Sequence, residues 1–225
     1  MPYEIRSGGF IVEAVKIAIV YYSATGNVHN LATAYAQGAA NAGAEVRVRR
    51  VSELAPEEAI AANPAWIRHR DTTAGLPVAS HDDIRWADGI AFGTPTRFGN
   101  VSSQLKQFLD SMGGLWTGGE LAGKTYSGFT SASTLHGGHE STLLALYNSF
   151  YHFGGFVVSP GYTDPVQFVL GNPYGPSHTC GSPTEAALED VDASAAARYA
   201  GNRLATVTAT LLAGAALRAT TPAGV

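Results

Sequence analysis

The chain holds a single cysteine, Cys180, among its 225 residues. That excludes an internal disulfide framework and a cysteine-based metal cluster. Charged residues make up only 14%, and the net charge is −4. No basic run crosses the sequence, so nucleic acid is not an expected partner. Long apolar runs are missing too. The most hydrophobic C-terminal run, 204–217, is interrupted by Thr206, Thr208 and Thr210 and falls short of the roughly 20 residues of a membrane span. The opening MPYEIRSGGFIVEAV lacks the continuous apolar core and cleavage site of a secretory signal, so a cytoplasmic location is expected. There is no G-x-S-x-G elbow of a serine hydrolase, and the loop at 23–28 that follows the first apolar run is neither a G-x-x-x-x-G-K-[ST] nor a G-x-G-x-x-G. His136 and His139 are separated by Gly137 and Gly138, which predicts a loop rather than one helix face. No metal site is expected.

What is present is a rhythm of apolar strands and amphipathic helices. A strand over 16–22 is followed by a helix with Val28, Leu31, Ala32, Tyr35, Ala36 and Ala39 at helical spacing, stopped at Gly43. AEVRVRRV, 44–51, alternates as a second strand near an edge does. The stretch 52–83 is irregular, with room for one short helix near 56–62, and a connection so long points to function or a surface insertion. Strands follow at 89–94, 125–131 and 155–159, with helices at 102–111 and 139–153. A Gly/Pro loop then runs to 182, and a last helix is expected from 183 to 217. The alternation predicts a five-stranded, doubly wound parallel sheet of order 2-1-3-4-5, covered by helices on both faces. Its ligand site lies at the carboxyl ends of strands one and three. One domain, 16–217, is expected, with an N-terminal extension, 1–15, and a tail, 218–225.

Three loops then converge at that switch point. The first, Ser23, Ala24, Thr25, Gly26, Asn27 and Val28, joins a strand to a helix N-terminus. It offers hydroxyls, an amide and backbone N–H groups, but no cation. Such a loop suits a terminal monophosphate, as in the ribityl phosphate of FMN. An ordinary capped turn is the plain alternative. The second loop, Pro95, Thr96, Arg97, Phe98 and Gly99, offers a stiff turn, a guanidinium and an aromatic wall for a flat ring. The third runs from Ser131, Ala132, Ser133 and Thr134 to Gly137 and Gly138.

The blocks YYSATGNV, GTPTRFGNVSSQLKQFLDSMGGLW, HGGHEST and GNPYG together resemble the WrbA family of flavodoxin-like NAD(P)H:quinone oxidoreductases. The second block is the most specific of them, and the likeness runs from about residue 16 to about 217. It implies FMN as cofactor, with NADH or NADPH as co-substrate. It assigns Ser23–Val28 to the phosphate, Thr96, Arg97 and Phe98 to the isoalloxazine, and Ser131, Ala132, Ser133, Thr134, Gly137 and Gly138 to a second ring contact. His152, in YHFGG, matches a histidine that completes the pocket from another subunit. Trp116 matches an aromatic residue on the open ring face, where nicotinamide and quinone take turns. Thr25 stands where relatives often carry an aromatic residue, a departure that touches how nicotinamide is held. A homotetramer is implied.

The function expected is two-electron reduction of quinones to hydroquinones by hydride transfer through flavin in two half-reactions. No side chain serves as nucleophile or general base. The competing readings are an FMN electron carrier without NAD(P)H:quinone turnover, and a scaffold without catalysis. The mild net charge speaks against the docking face of a carrier.

Overall fold

In a computed structural model the structure describes residues 14–182 and 190–220, with the backbone alone at 220. The N-terminal extension through residue 13, the expected helix start at 183 and the tail beyond 220 lie outside the described residues.

Five strands form the sheet path: β1 (Lys16–Tyr21), β2 (Glu45–Arg50), β3 (Gly89–Pro95), β4 (Thr125–Ala132) and β5 (Phe156–Val157). Their order is β2-β1-β3-β4-β5, and every pair is parallel. This is the doubly wound, flavodoxin-like order that the alternation of elements predicts, with β2 at an edge. A sixth strand, β6 (Ser177–Thr179), pairs with the carboxyl end of β4 through Thr130↔Ser177. Its three residues are too few to show a period in the sequence.

Each central strand splits its side chains by parity. Ile17, Ile19 and Tyr21 of β1 enter one core with α1 (Asn27–Asn41) and α9 (Val191–Thr220). Ala18 and Val20 enter the other, with Leu105 and Leu109 of α5 (Ser103–Ser111) and Leu143, Leu146 and Phe150 of α7 (His139–Phe153). Along the chain α6 (Gly113–Thr117) follows α5 directly.

The stretch 52–83 is more regular than its sequence predicts. Besides α2 (Glu57–Ala61) it holds α3 (Pro64–Thr72), and α4 (His81–Trp86) begins within it. These helices are set by their caps rather than by an apolar stripe. Asn63 accepts from the N–H groups of Ala65 and Trp66, ahead of a proline at the first helical position. Ser80 and Asp83 form a reciprocal capping box. Two further differences lie in the second half. The loop expected to run to 182 contains α8 (Pro165–Leu170) as well as β6. The last helix is described from Val191, where the Asp190 carboxylate accepts from the N–H groups of Asp192 and Ala193 at 3.1 and 3.0 Å.

Candidate functional site

The site begins at the turn after β1. Gly26 is the N-cap of α1 at φ 106°, a left-handed conformation that favours glycine, and no side chain caps this helix. Helix geometry leaves the N–H groups of Asn27, Val28 and His29 without intrahelical acceptors. The Ser23 hydroxyl accepts from Gly26 N–H at 3.1 Å, and the Asn27 amide leans on Thr25 Oγ1 at 3.4 Å. Both hydroxyl hydrogens remain able to donate outward. A neutral donor set at the positive end of a 15-residue helix fits a phosphate dianion.

The second and third loops are joined to each other before any ligand is considered. Pro95 pairs with Ser131 across β3 and β4, and Thr96 N–H donates to Ser131 O at 2.8 Å. Thr142 Oγ1 donates to Thr96 Oγ1 at 2.7 Å. At their tips Gly99 and Gly138 pack backbone to backbone: a Cβ on Gly138 would lie 2.8 Å from Gly99 Cα, and both residues have positive φ. Gly137 N–H closes a turn onto Thr134 O at 2.9 Å. A third member of this wall follows β6 directly, where Cys180 N–H donates to Ala132 O at 2.8 Å.

These loops enclose a cleft of about 210 Å³. Ser23, Ala24, Thr25, Asn27 and Val28 line one end, Pro95, Thr96 and Arg97 a side, and Ser131, Ala132 and Ser133 the other side. Neighbouring Gly26 is buried and shapes the turn. Three residues outside the expected set also line it: Asn63, Trp66 and Cys180. Asn63 and Trp66 arrive on α3, and the Asn-Pro pair that starts this helix was the one sequence signal for it. Burial raises the Cys180 thiol pKa, ahead of opposing contacts from the backbone, Ser133 and Arg97, so it is a protonated thiol at neutral pH.

Other residues stand elsewhere. Phe98 does not wall the cleft within the protomer. It is fully exposed at φ 52°, beside Gly99 at φ 75°. Two successive positive φ values bring Arg97 and Asn100 into a closed turn, with hydrogen bonds of 2.8 and 3.0 Å, and the turn throws the ring outward. An aromatic residue rarely sits at positive φ. Trp116 and His152 meet each other, since Trp116 Nε1 donates to His152 O at 2.8 Å, but they lie at the opposite edge of the sheet. Helix α7 starts beside the 132–138 loop and runs back antiparallel to β4, so His152, near its C-terminus, is carried to the amino edge.

Behind the first loop sits a chain of polar side chains. Glu53 accepts from Tyr22 Oη at 2.9 Å, Trp66 Nε1 at 3.2 Å and Gln104 Nε2 at 2.9 Å, and from the N–H groups of Leu54 and Ala55. Burial pushes its carboxyl pKa up, yet these donors together hold it below the usual range. Tyr21 Oη and His29 Nδ1 are 2.6 Å apart, and the His29 and His69 rings lie 5.3 Å centre to centre. Burial, and then the charge of His29, bring the His69 pKa down to about 4.

The chain is similar to known proteins in sequence and in fold. Residues 15–164 match the family described as NADPH-dependent FMN reductase. A protein of Deinococcus radiodurans called NAD(P)H dehydrogenase (quinone) is 46% identical over 166 residues, 73% of this chain and 83% of the relative. One of Geotalea uraniireducens, with the same description, is 42% identical over 203 residues, 88% of this chain and 99% of the relative. Among solved structures, the flavodoxin, WrbA-like protein from Agrobacterium tumefaciens superposes with a TM-score of 0.61 at 26% identity, covering 88% of this chain and 99% of that one. A flavodoxin from the domain Archaea, at 17% identity and a TM-score of 0.56 over 86% of this chain and 99% of that one, shares the fold. The chain belongs to the NADPH-dependent FMN reductase family and, within it, to the WrbA family of flavodoxin-like proteins.

Proposed function

We propose that this protein is an FMN-dependent NAD(P)H:quinone oxidoreductase, reducing quinones to hydroquinones by two electrons. The observation that carries the reading is the cleft itself. An uncapped helix N-terminus faces one end, and two loops locked to each other form its sides. The relatives called NAD(P)H dehydrogenase (quinone) support the substrate class.

Bound FMN would supply hydride acceptance and return, chemistry that no side chain here can provide. The protein's part is to bind and orient. Ser23, Thr25 and the first-turn N–H groups of α1 hold the phosphate. Pro95, Thr96 and Arg97 on one side, and Ser131, Ala132 and Ser133 on the other, would hold the ring. Arg97 is exposed, its Nη1 tied to Thr96 O at 3.0 Å, where a guanidinium can donate to a ring carbonyl. Phe98, Gly99, Thr134, Gly137 and Gly138 shape the rim. No nucleophile or general base is needed.

Trp116 and His152 reach such a site only from a neighbouring subunit. They are exposed and tied to one another, and a homotetramer would bring this pair over a partner's cleft. Residues 16–217 form the flavin domain in this reading, with 1–15 and 218–225 as additions to it. Among the described residues no helix is long and apolar enough to cross a membrane, and a cytoplasmic location fits the lone cysteine and a nicotinamide substrate.

One cleft serving both substrates requires that they alternate. Initial rates at several fixed quinone concentrations should therefore give parallel double-reciprocal lines against NADPH. Intersecting lines would contradict a shared face.

A further inference from the structure

The cofactor cleft does not end at the phosphate loop. A second cleft, about 250 Å³, adjoins it on the β2 side, and Ser23 and Trp66 line both. Tyr21 and Tyr22 form its β1 side, Arg50 stands at the end of β2, and Arg70 comes from α3. Arg50 Nε donates to Leu76 O at 3.1 Å. Among the described residues its guanidinium has no other hydrogen bond and no carboxylate partner, so it is oriented but not neutralised. Arg70 differs, since Glu57 and Asp71 already pair with it at 2.7 and 3.2 Å. Glu53 also lines this cleft, but its charge is spread over the five donors described above. One of those donors is Trp66 Nε1, which fixes the indole between the two clefts.

We propose that this second cleft receives the adenosine-phosphate end of the nicotinamide nucleotide, with Arg50 as its anion contact and the Trp66 ring as its apolar wall. The inference rests on the function proposed above and deepens it. A hydride donor must place its nicotinamide by the ring, between the β3 and β4 loops. The rest of so long a molecule then passes the phosphate loop and arrives on the β2 side, where the Arg50 guanidinium has no carboxylate partner among the described residues. A fixed guanidinium matches phosphate oxygens in a bidentate fork, and a tryptophan face accepts a purine. Either the pyrophosphate or the 2′-phosphate supplies the anion, and these sources are separable.

The FMN-loaded protein should be titrated with adenosine 5′-diphosphate and with adenosine 2′,5′-bisphosphate in a calorimeter. At least one should bind. Binding of the 2′,5′-bisphosphate alone assigns Arg50 to the 2′-phosphate, and binding of both assigns it to the pyrophosphate. Arg50→Gln should weaken binding about tenfold, the loss of roughly one charge-assisted contact, while FMN affinity reports an intact fold. Arg70→Gln, in the same cleft, should weaken it by less, and it serves as the second variant should the first not fold. No binding of either probe, or unchanged binding in both variants, would overturn the inference. Neither probe carries nicotinamide, so this result stands apart from whether quinones are reduced.

Discussion

Gly26 is the residue on which the proposed phosphate site turns. Its φ of 106° costs a side-chain-bearing residue about 1–3 kcal/mol, and relief of that strain would rotate the N–H groups of the first turn away from the ligand. Gly26→Ala should weaken FMN binding by roughly tenfold or more, read from quenching of flavin fluorescence on titration into the apoprotein. An unchanged dissociation constant would remove the loop from the site. The His69 imidazole makes a second prediction. An unfolded chain takes up this proton near pH 6.5, while burial and the neighbouring His29 delay it to about pH 4 in the fold. Stability is therefore unaffected above pH 6.5 and falls as pH drops toward 4, by on the order of 1 kcal/mol at pH 5 for a half-buried ring. Urea midpoints at pH 7.5 and 5 should differ less in His69→Gln than in the unaltered protein. At this scale the sequence read well wherever contacts are local. Ser23 to Val28, Pro95 to Arg97, and Ser131 to Ser133 follow directly from strand ends. Asn63, Trp66 and Cys180 were not legible as cleft residues, because distant segments bring them there. Nor was the aim of Phe98, which depends on two backbone angles rather than on its identity.

The elements owe their placement to close backbone contact as much as to apolar stripes. Helices α1 and α9 pack at two glycines. A Cβ on Gly38 would stand 1.8 Å from Arg198 O, and one on Gly201 would stand 2.0 Å from Tyr35 O. Since α1 carries the proposed phosphate site at its N-terminus, this contact fixes that end of the cleft from behind. Gly201→Val should force the helices apart and cost about 1–3 kcal/mol, as overpacked cores do, with a lower urea midpoint at unchanged slope. A wild-type midpoint would mean that α9 can shift without consequence. The long helices and the inner strands were legible because fifteen-residue amphipathic periods and unbroken apolar runs are strong signals. Helices α3, α4 and α8 were missed for the opposite reason. They are six to nine residues long, and their caps, not their apolar faces, specify them. Strand β5 shrank from five expected residues to two, since an edge position leaves only its first residues a partner in β4.

For the whole molecule, the sheet order decides where chemistry can occur. With β2-β1-β3-β4-β5, the chain reverses direction between β1 and β3, and a crevice opens at their carboxyl ends. The three loops, α3 and Cys180 all gather there, while Trp116 and His152 gather at the other edge. One protomer thus holds the proposed cofactor cleft at one end and the exposed pair proposed to cover it at the other, an arrangement that symmetric assembly would close. The account stands or falls on turnover. The purified protein should be given NADPH, or NADH, and benzoquinone, with and without added FMN, and nucleotide oxidation followed by absorbance. The account predicts oxidation that requires both FMN and quinone. FMN binding without quinone-dependent oxidation of either nucleotide would contradict it and leave an electron carrier in its place.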